Sequence, residues 1–186
     1  NSFIYDFFIQ CIFCDFVCDF IERNSGEPFF VYYPMVLVHN PFVPTPDSPE
    51  WIDPGKRYEK NNRYFKEMVE YTDRIIGKIE SKLKQKGVLE NTIFIFTGDN
   101  GTNVNITTET KDGPLKGGKS FTTDAGCHVP LIVSWPQFIK KARVYEPLIE
   151  FSDFFPTLIE AAGVSTIIKD IDGKSFLSVL KGENII

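Results

Sequence analysis

Two neighbouring side chains that carry oxygen ligands follow an apolar segment of the chain. The segment is Thr92 to Phe96, and the turn after it contains Asp99, Asn100 and Gly101. A carboxylate beside an amide carbonyl suits a hard cation such as Ca²⁺ or Mg²⁺, whereas zinc sites favour nitrogen and sulfur. Asp-Asn-Gly is also a common turn, because all three residues tolerate the backbone angles of turns. The residues alone leave both interpretations open.

A glycine-rich basic segment follows further along the chain and is predicted to be a loop. Gly117 and Gly118 let the backbone come close to a ligand, and Lys116 and Lys119 offer positive charge to a sulfate or phosphate oxygen. A solvated loop whose lysines bind nothing is the alternative. The apolar run at 129–134 that comes next is typical of a strand.

These segments, with the helix and strand before them, resemble the sulfatases of the alkaline phosphatase superfamily. The order of elements matches from about residue 14 to 182. The segments that carry the resemblance are 64–77, 91–101, 117–126, 129–133, 152–163 and 172–176.

The pair at the end of the Thr92–Phe96 strand distinguishes branches of that superfamily. Two-zinc phosphatases and phosphodiesterases place Asp-His there, whereas this chain has Asp99 and Asn100. The resemblance implies a single Ca²⁺, in preference to Mg²⁺, with both residues among its ligands. Phosphoester and phosphonate hydrolases with sulfatase-like sequences are an alternative, since any tetrahedral anion needs similar counter-charges.

The resemblance also implies catalytic roles for His39 and Lys119. His39 follows an apolar run at 29–38, which we predict to be a strand, and precedes an Asn-Pro pair. The matching histidine of sulfatases lies on the ester-oxygen side of the sulfate, where it can donate a proton to the departing alkoxide. Without the family, a lone histidine before Asn-Pro is more typical of a turn. Lys119 matches the lysine that contacts sulfate, and His128 matches no family role, so we interpret it as structural.

Sulfatases generate a formylglycine nucleophile from Cys-x-Pro-x-Arg or Ser-x-Pro-x-Arg, and neither motif occurs here. The family's N-terminal Asp pair, which completes the cation site, and its other Lys and His on the sulfate also have no counterpart. We therefore interpret 1–186 as a partial catalytic domain that lacks the nucleophile-bearing N-terminal part, and a chain that opens at Asn1 without methionine agrees with a fragment. We expect neither turnover nor tight Ca²⁺ binding from these residues alone.

The fold expected around these residues is α/β, with a mostly parallel (mixed) sheet sandwiched between helices, alkaline phosphatase/sulfatase-like and incomplete. A long helix is predicted over Arg57–Lys86, closed by Gly87 in a left-handed conformation, and a second helix begins with Asp153 as its cap. The apolar positions that keep helical period in the long helix are Phe65, Met68, Val69, Thr72, Ile75, Ile76, Ile79 and Leu83.

The first 23 residues are very apolar but contain Asp6, Asp15 and Asp19. Because each central Asp would cost about 3 kcal/mol in a bilayer, we predict an amphipathic helix packed on a sheet instead of a membrane span. Phe13, Phe16, Val17, Phe20 and Ile21 form its apolar side. A break in phase near residues 11–13 suggests that 1–12 form another element or are not native to the family. We interpret Cys11, Cys14 and Cys18 as buried free thiols, in preference to a metal cluster.

Charge and family together indicate the class of ligand. A net charge of -5 and a pI near 5.1, with no basic face or arm, argue against nucleic acid. A sulfated small molecule or glycan fits better, and the family is commonly exported, to periplasm, lysosome or medium. A noncatalytic remnant or binding domain is the alternative from a different class. The identity of the substrate is left open by the sequence.

Overall fold

A computed structural model of the chain describes residues 8–164 and 170–183. These residues divide into two compact units, one containing 8–89 and 95–132 and the other containing 90–94, 133–164 and 170–183. The helices are α1 (Ile9–Asn24), α2 (Tyr64–Gln85), α3 (Asp124–Cys127), α4 (Phe154–Ala161) and α5 (Leu177–Lys181). The strands are β1 (Phe94–Thr97), β2 (Thr107–Thr110), β3 (Gly113–Lys116) and β4 (Leu131–Ser134). Short 3-10 turns occupy Pro49–Ile52, Leu89–Asn91 and Phe151–Asp153.

Helices α1 and α2 pack against each other and form the scaffold of the first unit. Cys14 and Ile21 of α1 are buried, as are Ile75 and Leu83 of α2. Ion pairs also join the two helices, among them Lys82 Nζ to Glu22 Oε2 at 2.9 Å. These pairs lie at the surface, so burial of the apolar side chains provides most of the stabilisation.

The predicted long helix forms, but it begins later than expected. α2 starts at Tyr64, and residues 57–63 before it form turns and coil. Its end is confirmed, because Gly87 has a φ of 72° and its N–H donates to the Lys84 carbonyl at 3.0 Å. Among the periodic positions, Val69 is 43% exposed.

The N-terminal helix also differs from the prediction. α1 runs without interruption from Ile9 to Asn24, so the expected break near residues 11–13 is wrong. Phe13 and Phe16 lie at the surface, 42% and 64% exposed, although they were predicted on the packed face. The interpretation of the cysteines is confirmed for the two thiols that are buried, Cys14 and Cys18, while Cys11 is half-buried. Among the described residues, no helix is both long and apolar enough to span a bilayer.

The strands form two separate pairs within an α/β fold. β1 pairs with β4, and β2 pairs with β3 as an antiparallel hairpin in which Thr107 lies opposite Lys116. The strand predicted at 29–38 is wrong: this segment joins no ladder in the described part of the chain, and its Phe30 and Tyr32 are 68% and 79% exposed. A strand requires partners for its N–H and C=O groups, which apolar composition alone does not provide.

The second unit has its own core, formed by Trp135, Phe176, Leu177, Val179 and Leu180. Asp153 precedes α4 as predicted, but its side chain does not cap that helix. Its two carboxylate oxygens instead accept the N–H groups of Glu150 at 2.9 Å and Lys174 at 2.7 Å. Those bonds occupy the acceptors that a cap would use.

Candidate functional site

The turn after β1 holds the two predicted cation ligands side by side. Asp99 is exposed and Asn100 is half-buried, and the Asn100 amide donates to Asp99 Oδ2 at 2.5 Å. This bond uses Asn100 Nδ2, so the carbonyl Oδ1 of Asn100 and the second carboxylate oxygen of Asp99 remain as acceptors. Both are hard oxygen donors of the kind that Ca²⁺ prefers.

The loop that carries Lys119 is bonded directly to this turn. The Lys119 N–H donates to the Thr102 carbonyl at 2.9 Å, two residues beyond Asn100. The Gly101 N–H donates to the Gly126 carbonyl at 2.8 Å. Residues 98–106 and 117–128, which we call the site loops, are thus joined backbone to backbone. The Lys119 side chain is half-buried and has no carboxylate partner among residues 8–164 and 170–183, so its charge is available to an anion.

Glycines make this contact between the site loops possible. A Cβ on Gly101 would lie 2.0 Å from the Ala125 carbonyl oxygen, and one on Gly126 would lie 2.0 Å from that of Phe121. A Cβ on Gly117 would lie 2.2 Å from the Asn103 carbonyl oxygen. Any side chain at these positions would collide with a neighbouring backbone carbonyl oxygen. The close approach predicted for Gly117 and Gly118 therefore occurs, but against protein backbone.

His39 lies on a segment that is packed against the same unit. Its N–H donates to the Val36 carbonyl at 3.1 Å, and its ring Nδ1 lies 2.6 Å from the Asn40 carbonyl oxygen. Phe42, three residues on, is 4% exposed and belongs to a core cluster with Ile106 of the site loops. The ring of His39 itself is exposed, as a group that meets a ligand must be.

Ile106 ties these parts together, and sequence reasoning missed it. It is 6% exposed, its N–H donates to Asn103 at 3.0 Å, and its carbonyl accepts the Gly117 N–H at 2.9 Å. An apolar residue between Asn105 and Thr107 is the sequence feature that could have identified it. The predicted basic loop also needs correction, because Gly113–Lys116 forms strand β3 and only 117–123 continues as loop.

The donor chemistry fits a hard cation, but the number of ligands does not complete a site. Ca²⁺ takes about six to eight oxygen ligands, and Asp99 and Asn100 are the two side chains of this turn that can supply them. No group of three or more His, Cys, Asp or Glu side chains suited to a metal occurs within the described residues. His128, interpreted as structural, contacts Asp124 Oδ1 through Nδ1 at 3.1 Å. The remaining oxygen ligands of a cation at Asp99 and Asn100 would have to come from outside the described residues.

A domain model for the family described as Sulfatase matches residues 9–164. That match covers most of the chain, and together with the α/β fold and the Asp-Asn turn it defines the class. The chain belongs to the sulfatase family.

Curated relatives agree with this assignment. A sulfatase of Formosa agariphila is 31% identical, over 91% of this chain and 33% of its own length. N-acetylgalactosamine-6-sulfatase of Canis lupus familiaris is 32% identical, over 88% of this chain and 31% of its own length. Human arylsulfatase H is 29% identical, over 88% of this chain and 29% of its length. The chain thus spans about a third of these relatives.

Solved structures show the same fold. The PsFucS1 sulfatase of Pseudoalteromonas sp. superimposes with a TM-score of 0.74 at 28% identity, covering 96% of this chain and 36% of the other. Ps i-CgsB gives a TM-score of 0.76 at 26% identity, covering 95% and 39%. The predicted fold class, an incomplete α/β domain of sulfatase type, is confirmed.

Proposed function

We propose that the protein to which this chain belongs hydrolyses sulfate esters with the help of one Ca²⁺. The observation that supports the proposal is the backbone bond from the Lys119 N–H to the Thr102 carbonyl oxygen, with an N···O distance of 2.9 Å. It holds the loop of Lys119 beside the turn that contains Asp99 and Asn100. A cation site and a free ammonium on one rigid framework suit a substrate with spread negative charge. An amide in place of a histidine beside Asp99 favours one hard cation over two zinc ions.

Asp99 and Asn100 would hold the cation, with further ligands from outside the described residues. Bound calcium would supply neutralisation of charge on the sulfate oxygens. Lys119 would bind another sulfate oxygen with its ammonium.

His39 would give the departing alkoxide its proton. The Asn40 carbonyl oxygen, 2.6 Å from Nδ1, accepts a hydrogen bond from a protonated Nδ1. A protonated imidazole held in this way has its second proton at Nε2, where it can be donated to a leaving group. The nucleophile of sulfatases, a hydrated formylglycine, has no counterpart in 1–186, and we propose that it lies in another part of the protein.

Two observations support a sulfated glycan or small sulfate ester as substrate, and we propose export of the whole protein from the family resemblance alone. The canine relative is named for a sulfated amino sugar. A solved neighbour at 26% identity is described in connection with the metabolism of multiple glycosaminoglycans.

The test uses the complete protein with 4-nitrophenyl sulfate and Ca²⁺. Lys119→Ala is expected to lower kcat/KM by roughly a hundredfold or more, while Lys111→Ala, in the turn of the hairpin, serves as matched control and leaves it unchanged. Asp99→Asn is expected to raise the Ca²⁺ concentration needed for half-maximal activity. Faster turnover of 4-nitrophenyl phosphate would favour a phosphoester hydrolase, and no turnover of either ester would favour a noncatalytic binding domain.

A further inference from the structure

A cleft of about 430 Å³ opens in the first unit beside the proposed site. Its lining residues are Asn40, Pro41, Phe42, Lys60, Asn61, Asn62, Asn103 and Asn105. Asn40 follows His39 directly, and Asn103 follows Thr102, the residue that accepts the Lys119 N–H. The cleft is therefore lined by direct chain neighbours of His39 and of Thr102.

The lining of the cleft is rich in neutral amides. Five of the eight lining residues are asparagine, one is lysine, and none is acidic. An asparagine amide offers two donor hydrogens and a carbonyl acceptor, and a sugar hydroxyl is both a donor and an acceptor. A cation would find no carboxylate here, and an apolar ligand would leave the amides unpaired at a cost in binding free energy. The lining thus matches carbohydrate hydroxyls.

Local hydrogen bonds hold two of these amides in a fixed orientation. Asn61 Oδ1 accepts the Arg63 N–H at 3.0 Å, and Asn103 Oδ1 accepts the Asn105 N–H at 2.9 Å. Within the described residues, no acceptor pairs with Nδ2 of Asn61 or of Asn103. Each amide is therefore anchored by its oxygen and keeps its donors for a ligand, which lowers the entropy cost of binding.

The two walls of the cleft are also joined to each other. Asn62 Nδ2 donates to the Asn105 carbonyl at 3.3 Å, and the Asn61 N–H donates to the Phe42 carbonyl at 3.0 Å. Phe42, which also lines the cleft, is buried. These two bonds hold the walls of the cleft together in the absence of a ligand.

We propose that this cleft is a carbohydrate subsite, which binds the hydroxyls of the sugar next to the sulfated one. Asn61 and Asn103 donate through Nδ2, and the Lys60 ammonium favours a neighbouring sugar that carries a sulfate or carboxylate. The position of the subsite within a substrate rests on the proposed function, but the binding of a saccharide to the cleft does not.

The experiment observes the asparagine side-chain amides by NMR in a Ca²⁺-free buffer. The 186-residue chain is titrated with a chondroitin 6-sulfate tetrasaccharide and with its desulfated counterpart. Both saccharides are expected to shift the Nδ2 signals of Asn61 and Asn103, the sulfated one at lower concentration. The amide signal of Asn24, on α1 and outside the cleft, is the internal control.

A matched variant separates the amide donors from the fold. Asn61→Asp with Asn103→Asp keeps the oxygen acceptor of both turns while removing the donors and adding charge. Affinity for the sulfated tetrasaccharide is expected to fall by about tenfold or more. Asn91→Asp, outside the cleft, is expected to bind as the wild type does. Lys60→Ala, an exposed position, gives a second variant with no demand on folding, and should weaken binding of the sulfated saccharide more than of the desulfated one.

The outcomes distinguish the two proposals. Absence of binding at millimolar saccharide, shifts confined to residues outside the cleft, or unchanged affinity in all cleft variants would each overturn the subsite. Saccharide binding without any sulfatase activity would overturn the proposed function and leave the subsite standing.

Discussion

The α1–α2 scaffold and the site loops are stabilised in different ways. The scaffold buries large side chains such as Ile75 and Leu83 between two helices. The site loops instead bring backbone against backbone, with glycines where a Cβ would lie about 2 Å from a carbonyl oxygen. The scaffold thus depends on side-chain volume, and the loops depend on the lack of it. Substitutions that are tolerated in one region should be damaging in the other.

The largest effect is expected for Gly101→Ala. The new Cβ would lie 2.0 Å from the Ala125 carbonyl oxygen, so one of the site loops must move. We expect the free energy of unfolding to fall by at least about 4 kcal/mol. The same change at Gly77 on α2, where a Cβ meets nothing within 4 Å, should instead stabilise by about 0.5 to 1 kcal/mol. Urea unfolding followed by circular dichroism measures both, and equal effects of the two changes would refute the contrast.

A smaller effect is expected for Leu83→Ala in the scaffold. Leu83 is 2% exposed, so its truncation leaves a cavity and should lower the free energy of unfolding by about 3 kcal/mol. Val69→Ala on the same helix is the control, because that side chain is 43% exposed and its loss should change stability by less than about 0.5 kcal/mol. If both variants unfold at the same urea concentration, α2 does not pack on α1 as described.

The smallest effect is a decrease in the free energy of unfolding at alkaline pH that comes from Cys14. Burial raises the pKa of this thiol from 9.0 to about 12, with the nearby Cys18 as a further cause. The folded state therefore holds the proton more tightly than the unfolded state. Its contribution to stability is complete below pH 9 and is lost as the pH rises from there toward 12.

The measurement compares unfolding free energies at about pH 8 and about pH 10. Wild type should lose about 1 kcal/mol or less from this thiol over that interval. Cys14→Ala should show a shallower loss, and Cys127→Ala, at an exposed position, should keep the wild-type slope. Burial also raises the pKa of Tyr33 to about 12 and that of Tyr71, so higher pH would add their titrations. Parallel slopes for all three proteins would contradict the assignment.

Sequence reasoning reached the scaffold through periodicity. The helical spacing of Met68, Ile75, Ile79 and Leu83 identified the packed face of α2, since a helix buries the side chains that share one side of it. The same reasoning failed for Phe13 and Phe16, because α1 has more apolar side chains than α2 covers. Their exposure depends on what packs nearby, which a single helix pattern does not encode.

The site was predictable in its chemistry but not in its assembly. Asp99, Asn100, His39 and Lys119 stand out by residue type and by resemblance, and their roles stay predictions. The bonds from Lys119 to Thr102 and from Gly117 to Ile106 join residues that lie on either side of a hairpin. No local sequence pattern predicts which residues on the two sides will be bonded. The strand expected at 29–38 failed for the same reason, because a strand is a property of two segments.

The length of the β2–β3 hairpin can change without altering the backbone at its base. Its ladder pairs Thr107 with Lys116, and the Gly117 N–H closes its base on the Ile106 carbonyl at 2.9 Å. Every residue of β2 and all of β3 beyond Gly113 are exposed. We therefore expect insertions to be tolerated at the tip, Lys111 and Asp112. A peptide tag or a longer natural loop placed there would leave Lys119 where it is. A longer hairpin would extend the chain outward at that tip and leave the backbone position of Lys119 unchanged.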